Sequence, residues 1–246
     1  MSDLEQCWQK RYLERFYDRS AGFVDGTRQF HDLCARTVPA GSRILEIGAG
    51  PSNNTSRFLA SLGEVHGLDP GLPVLANEAL VSATILEGDR FPFADESFDV
   101  CASNYLLEHI AAPDRHLREV KRVLRPGGAY VFRTPNRFHY VAIVATLTPH
   151  WFHVLVANRL RRLPADAYDP FPTFYAMNSR RTLRAAAADV GLRLDYVDMV
   201  EKEPSYGMSS RVLFMLFVGY ERLVNRSERF ADLRAQIFGV LRKPSA

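Results

Sequence analysis

The chain has 246 residues and a formal net charge of +3 at pH 7, and 47% of its residues are hydrophobic. This length and composition are typical of one globular domain with a sizeable core, and the small net charge does not indicate a nucleic-acid partner. Three widely spaced cysteines exclude a disulfide framework and a zinc site, and no apolar signal-peptide core precedes residue 20, so we expect a cytoplasmic protein.

Helical and strand-like patterns alternate along the chain, which predicts an α/β fold. A helix is predicted around 28–38, before the first strand, and another at Pro113, where a proline suits the first helical position. Asn178 and Ser179 are predicted to cap a helix that stops at Gly191. Strands are predicted near residues 43–47, 64–68, 83–86, 98–102, 128–134 and 192–200.

The first strand ends in an acid and leads into a glycine-spaced turn. Residues 43–55 read Arg-Ile-Leu-Glu-Ile-Gly-Ala-Gly-Pro-Ser-Asn-Asn-Thr, so Glu46 precedes Gly48 and Gly50. Glycines let a backbone approach a ligand closely, and the helix that follows presents unpaired N–H groups. The third glycine of a dinucleotide fingerprint and the lysine of a phosphate loop are both absent. A ligand with a positive centre and hydroxyl groups therefore fits Glu46 better than a pyrophosphate does.

Three more segments follow in chain order. Residues 64–69 form a strand that ends on Asp69, a position at which an acid accepts hydrogen bonds from ribose hydroxyls in nucleotide-binding folds. The alternative is that Asp69 caps a helix beginning at Pro70. Residues 87–99 read Glu-Gly-Asp-Arg-Phe-Pro-Phe-Ala-Asp-Glu-Ser-Phe-Asp, and residues 123–132 contain a Leu-Arg-Pro-Gly-Gly turn into a strand.

Together these four segments resemble the cofactor motifs of the class I S-adenosylmethionine-dependent methyltransferases, with Ser52 in place of the last glycine of the first motif. The resemblance implies a doubly wound, seven-strand Rossmann-like sheet, mostly parallel with an antiparallel last strand at 236–244. In the third segment it implies that Asp89 accepts from the adenine amino group and that the backbone N–H of Arg90 meets the ring. The cofactor site implied for S-adenosylmethionine comprises Glu46, Gly48, Gly50, Asp69, Asp89, Arg90 and Asn104.

A single domain over residues 1–246 is expected. Its predicted parts are an N-terminal helical lid at 1–42, a cofactor-binding core at 43–135, a substrate-cap insertion at 136–178 and the C-terminal part of the sheet at 179–246. N-terminal segments of the family often close over the cofactor, which makes Tyr17 a candidate for that contact. The first interpretation, however, is that the aromatic residues of this segment recur at helical spacing and pack at the edge of the lid.

The segment after the fourth strand contains a candidate catalytic base. Transfer of a methyl group to a hydroxyl requires a group that takes the proton, and His109 is suited to that role near neutral pH. The alternative is that His109 only anchors its helix. Glu108 and His109 also resemble the end of the Glu-x-x-Glu-His site of ubiquinone-pathway O-methyltransferases, which is linked to a divalent metal. Because Tyr105 stands where that site has its first acid, we expect no metal.

The acceptor is predicted from segments beyond the cofactor motifs. Residues 134–140 resemble the corresponding region of bacterial methyltransferases of glycan, lipid and secondary-metabolite pathways, which implies an oxygen of a small-molecule, glycan or lipid-linked acceptor. The Asn/Asp-Pro-Pro motif of amino-group nucleic-acid methyltransferases is absent after the fourth strand, so we expect no nucleic-acid partner.

Two apolar stretches, at 141–157 and 212–218, are too short to span a bilayer. They can serve as core, pocket wall, dimer contact or membrane contact, and core or cap packing is the first interpretation. Arg159, Arg161 and Arg162 would suit anionic headgroups, so a peripheral contact at the inner membrane surface is kept as an alternative.

Two other functions remain open at this point. One is a non-catalytic binding or scaffold protein with the methyltransferase fold, which the complete set of cofactor-site acids disfavours. The other is an NAD-dependent oxidoreductase, which the missing third glycine and the position of Glu46 disfavour.

Overall fold

The computed structural model describes residues 3–18, 20–147, 172–203 and 210–245. Seven strands form one sheet in the order β3-β2-β1-β4-β5-β7-β6, in which β1 to β5 run parallel and β7 runs antiparallel to both of its neighbours. This confirms the predicted mostly parallel sheet with an antiparallel last strand. The strands are β1 Ser42–Ile47, β2 Gly63–Asp69, β3 Ser82–Ile85, β4 Phe98–Asn104, β5 Leu124–Pro135, β6 Arg193–Val200 and β7 Gln236–Arg242.

Helices cover the sheet, and polar side chains define where several of them begin. Asn53 accepts from the backbone N–H groups of Thr55 and Ser56 at the start of α3, and Ser179 forms a capping box with Thr182 at the start of α6. The helices of the described residues are α1 Asp3–Phe16, α2 Gly26–Thr37, α3 Asn54–Ala60, α4 Pro113–Val123, α5 Tyr140–Leu147, α6 Arg180–Asp189 and α7 Arg211–Asn225. Short 3₁₀ turns lie at Leu72–Ala76, Leu107–His109 and Glu228–Leu233.

Both faces of the sheet are buried, and the central strands β1 and β4 supply apolar residues to each face. Leu45 and Ile47 of β1 point into a cluster that includes Leu117 of α4 and Leu183 of α6. On the other face, Ile44 packs in a cluster with residues of α2 and α3. The alternation along β1 therefore separates two cores, and the carboxyl end of this strand lies between them.

The N-terminal aromatic residues pack together, as the first interpretation expected. The rings of Trp8, Tyr12, Phe16 and Tyr17 lie 5.6 to 6.3 Å, centroid to centroid, from the ring of Phe214 on α7. Tyr17 is buried in this cluster, and its hydroxyl donates to the Glu221 carboxylate at 3.3 Å. Tyr17 is not among the described residues that line the cofactor cavity defined below, so its predicted contact with the cofactor finds no support here.

The two apolar stretches have different outcomes. The stretch at 212–218 lies on α7 and is half core, because Phe214 and Val218 are buried whereas Val212 and Leu216 are 70% and 63% exposed. Of the stretch at 141–157, residues 148–157 lie outside the described residues, as do Arg159, Arg161 and Arg162. Within the described part of the chain, no helix has the length and hydropathy needed to cross a membrane.

Candidate functional site

The strand order reverses between β1 and β4, and ligands of open α/β sheets bind beyond the carboxyl ends of the strands at such a point. A cavity of about 470 Å³ lies there, which we call the cofactor cavity. Its wall includes the β1 turn, the end of β2 and the segment after β4. The described residues that line it include Gly48, Gly50, Asp69, Leu86, Phe91, Tyr105, Leu106 and His109.

The glycine turn is shaped by backbone conformation and by one carboxylate. Gly48 and Gly50 have φ angles of 76° and 54°, which other residues rarely adopt, and a Cβ at Gly48 would lie 3.1 Å from the Leu106 side chain. Asp69 accepts from the backbone N–H of Gly50 at 3.1 Å and from that of Gly71 at 2.7 Å. Asp69 therefore fixes the turn, and no α-helix begins at Pro70, since only the 3₁₀ turn at Leu72–Ala76 follows.

Glu46 is buried beside the turn and is not among the described residues that line the cavity. Burial raises the pKa of Glu46 to about 7, while a hydrogen bond from Ser56 lowers it and the charge of Asp69 raises it. Its Oε2 atom has no hydrogen-bond partner within the described ranges. A buried carboxyl group with an unpartnered oxygen fits a ligand that brings positive charge, and S-adenosylmethionine carries an ammonium and a sulfonium.

Asn104, the last residue of β4, links this strand to α3 through a hydrogen bond. Its amide donates to Thr55 Oγ1 at 3.0 Å, and its amide oxygen accepts from Arg133 Nε at 2.7 Å. Like Glu46, Asn104 is absent from the described residues of the cavity wall. The sequence motifs did not indicate Arg133, because it is an isolated charged residue inside an apolar strand.

The predicted adenine contacts lie at the protein surface. Asp89 and Arg90 are exposed, and the Asp89 carboxylate accepts from Arg115 at 3.0 Å. Near this segment the cavity is lined by Leu86 and Phe91 instead. The structure thus brings Gly48, Gly50 and Asp69 together in one wall and leaves Asp89 and Arg90 outside it, so their contact with adenine stays a prediction.

A second cavity of about 300 Å³, here called the acceptor cleft, lies at the same edge of the sheet. Because β7 runs antiparallel, its first residue Gln236 lies beside Pro135 at the end of β5. The cleft therefore gathers residues from the ends of β4, β5 and β6, from the start of β7, and from α5 and α7. Of the segment at 134–140, from which the acceptor was predicted, Pro135, Asn136, His139 and Tyr140 line this cleft.

Tyr105 and His109 line both cavities. Tyr105 has a φ of 57°, a strained conformation for a residue with a side chain. Its hydroxyl accepts from Gln236 Nε2 at 2.6 Å, and the guanidinium of Arg133 lies 4.6 Å from the centre of its ring. These contacts hold the Tyr105 ring between the two cavities.

The position of His109 defines its tautomer. Its Nδ1 lies 2.9 Å from the carbonyl oxygen of Pro172, which can only accept, so Nδ1 carries the proton and Nε2 is the basic nitrogen of the neutral ring. The neighbouring Glu108 is buried, which raises the pKa of its carboxyl group, and it accepts from Thr134 Oγ1 at 3.0 Å. In the described residues, no three His, Cys, Asp or Glu side chains come together to hold a metal ion.

Comparison with known proteins agrees with this geometry. A family model described as a methyltransferase domain matches residues 45–132. An uncharacterized methyltransferase of Anoxybacillus flavithermus is 29% identical over 170 residues, which are 65% of this chain and 80% of that relative. Two further methyltransferase relatives, from Geobacillus kaustophilus and Mycolicibacterium vanbaalenii, are matched over only 64% and 38% of their length.

Solved structures share the fold. An S-adenosylmethionine-dependent methyltransferase from Mesorhizobium loti matches with a TM-score of 0.55 and 18% identity, over 87% of this chain and 96% of that one. The [4+2]-cyclase SpnF matches with a TM-score of 0.56 and 17% identity, over 89% of this chain and 82% of that one. The chain therefore carries a methyltransferase domain at residues 45–132, and its sheet has the fold of solved S-adenosylmethionine-dependent methyltransferases.

Proposed function

We propose that this protein transfers the methyl group of S-adenosylmethionine to an oxygen of a small-molecule, glycan or lipid-linked acceptor. The observation that carries the proposal is that the cofactor cavity and the acceptor cleft share Tyr105 and His109 as walls. Methyl transfer from a sulfonium is an in-line displacement, so donor and acceptor must meet at one point. The basic Nε2 of His109 at the junction supports its role as the group that takes the hydroxyl proton.

The cofactor residues belong to the same proposal. Gly48, Gly50 and Asp69 would contact the cofactor directly, with the Asp69 carboxylate on the ribose hydroxyls. Glu46 and Asn104, which are not among the described residues of the cavity wall, would act on the cofactor through the glycine turn. Asp89 and Arg90 would reach the adenine from the surface, where they now lie.

Calorimetric titration with S-adenosylhomocysteine tests the cofactor site. We expect micromolar binding to the intact protein and at least a tenfold loss in Asp69→Asn, because the amide cannot accept from two backbone N–H groups and also hold the ribose. The matched control is Asp114→Asn, since Asp114 is half exposed and pairs with Arg118 on the surface. Failure of the intact protein to bind would contradict the proposal. Binding without transfer from a labelled methyl donor to any of a panel of acceptors would favour the scaffold alternative.

Location and partners are proposed along with the reaction. We propose a cytoplasmic protein that does not act on nucleic acid and that contacts a membrane surface through the exposed side of α7, where Val212 and Leu216 project. Co-sedimentation with vesicles containing anionic lipids tests the membrane contact. The proposed contact would be refuted if wild type stayed in the supernatant as completely as a Val212→Glu/Leu216→Glu variant.

A further inference from the structure

One end of the acceptor cleft is acidic. Glu201 and Glu203, just after β6, line it together with Glu221 of α7, and the lysine between the first two is Lys202. Glu221 is already engaged by the Tyr17 hydroxyl and by the Asn225 amide. The two glutamates that follow β6 are different, because each has an oxygen that the described part of the chain leaves unsatisfied.

The unsatisfied oxygens are Oε2 of Glu201 and Oε2 of Glu203, which are buried and have no hydrogen-bond partner among the described residues. The Glu201 side chain is only 4% exposed. Its Oε2 approaches Nε2 of His139 to 3.5 Å without forming a hydrogen bond. Leaving a buried polar group unsatisfied costs roughly 1–3 kcal/mol, so a group that completes these contacts is expected.

His139 does not neutralise Glu201. Burial lowers the pKa of His139 to about 3, so its imidazole is neutral near pH 7. Burial raises the pKa of Glu201 to about 7, with the Lys202 charge lowering it and the Glu221 charge raising it. A cation bound at this position would stabilise the ionised carboxylate, whereas an anionic group would meet several like charges.

The rest of this wall is aromatic. The rings of Tyr140 and Phe217 stack with their centroids 4.9 Å apart, and Tyr220 meets Tyr140 edge-on at 5.0 Å. All three residues line the acceptor cleft. Aromatic surfaces beside carboxylates are a favourable environment for an organic ammonium group, because rings attract cations while they exclude water.

We infer that the acceptor cleft binds its substrate through a protonated amine, so that the acceptor is a small hydroxylated amine with its ammonium against Glu201 and Glu203 and its hydroxyl against His109. This inference rests on the proposed function. In the transfer, the acceptor oxygen forms a bond to the methyl carbon as the carbon–sulfur bond breaks, and the sulfonium becomes a neutral thioether. His109 takes the hydroxyl proton, and the amine keeps its own.

Ligand-detected NMR with a matched pair of probes tests the inference. Benzylamine, protonated near neutral pH, and benzyl alcohol have the same shape and differ in charge. With saturating S-adenosylhomocysteine present, we expect benzylamine to bind at least tenfold more tightly than benzyl alcohol. Glu201→Gln and Glu203→Gln should each reduce this preference to less than threefold, while the exposed-site control Glu64→Gln should retain it.

The outcomes separate the inference from the proposed function. If S-adenosylhomocysteine binds and both probes bind equally, or if the preference survives in both glutamine variants, the inference is wrong and methyl transfer still stands. If S-adenosylhomocysteine does not bind, the proposed function itself fails. Thermal unfolding of each variant shows whether it is folded, and Glu203→Gln provides the test if Glu201→Gln does not fold.

Discussion

His109 combines two properties that a proton acceptor needs: a defined tautomer and a place in the walls of both cavities. We expect His109→Gln to lower kcat by about 10²- to 10⁴-fold, the range typical of general-base catalysis. The affinity for S-adenosylhomocysteine should change by less than about threefold, since the fold and the glycine turn are unaffected. Steady-state rates with a labelled methyl donor measure the first effect, and calorimetry measures the second.

The pattern of loss in the His109 variant distinguishes a base from an anchor. Loss of a base lowers kcat and leaves the affinity for S-adenosylhomocysteine intact. An equal loss of cofactor affinity and rate would instead assign His109 to helix anchoring.

Glu46 links the stability of the empty protein to pH. Its pKa is about 7 in the folded protein and its ordinary value is 4.5, so between these values the folded chain keeps a proton that the unfolded chain has lost. The free energy of unfolding must therefore fall as pH rises through this window. Relative to Glu46→Gln, the wild type should lose up to roughly 3 kcal/mol between about pH 4 and pH 8.

Urea unfolding of both proteins across this range measures the Glu46 effect. Glu201 also has a raised pKa, but it titrates in both proteins and cancels from their difference. A wild-type-to-variant difference that stays constant with pH would show that Glu46 is ionised as readily in the folded as in the unfolded chain.

At the residue scale, the sequence predicts best where a backbone conformation demands one residue type. Gly48 and Gly50 could be placed because the turn needs positive φ, and Asp69 because it ends a parallel strand beside them. Tyr105 also has positive φ, but nothing in its residue type signals that strain. It could only be found from the structure.

Among the elements, α7 carries the packing of the N-terminal segment. Phe214 is fully buried and contacts four aromatic rings of residues 8–17. We expect Phe214→Ala to destabilise the protein by about 3–5 kcal/mol, because the cavity left behind cannot be refilled by rigid rings. Urea unfolding, with limited proteolysis of the N-terminal segment, measures the loss.

The same helix supplies the control for Phe214. Leu216 is 63% exposed, so Leu216→Ala should change the unfolding free energy by no more than about 0.5 kcal/mol. Similar losses in both variants would mean that the exposed side of α7 is covered in solution.

Element boundaries followed from patterns where polar and apolar residues alternate or caps are present. The capping box at Ser179 marks the start of α6, and the predicted helix at 28–38 begins two residues earlier, at Gly26. The run at 212–218 contains no polar residue, so its periodicity could not reveal that one side of α7 is buried and the other exposed.

At the scale of the whole molecule, the sequence predicted the position of the cofactor cavity but not the shape of the acceptor cleft. The cofactor cavity is built from turns that follow consecutive parallel strands, and each turn leaves a local sequence pattern. The acceptor cleft joins segments near residues 105, 140, 201, 220 and 236, which only the completed sheet brings together. Composition does not reveal the acidic end of this cleft, since residues 151–246 carry 15 basic and 10 acidic residues.

A wall shared by two cavities makes the binding of their ligands thermodynamically linked. If a bound cofactor changes the affinity for the acceptor through Tyr105 and His109, the bound acceptor must change the affinity for the cofactor by the same factor. If the bound methyl donor fixes the position of this wall for the acceptor, the donor binds first and its demethylated product dissociates last. Product inhibition would then be competitive against the donor and noncompetitive against the acceptor, and initial-rate kinetics can read this signature without any structure of the complex.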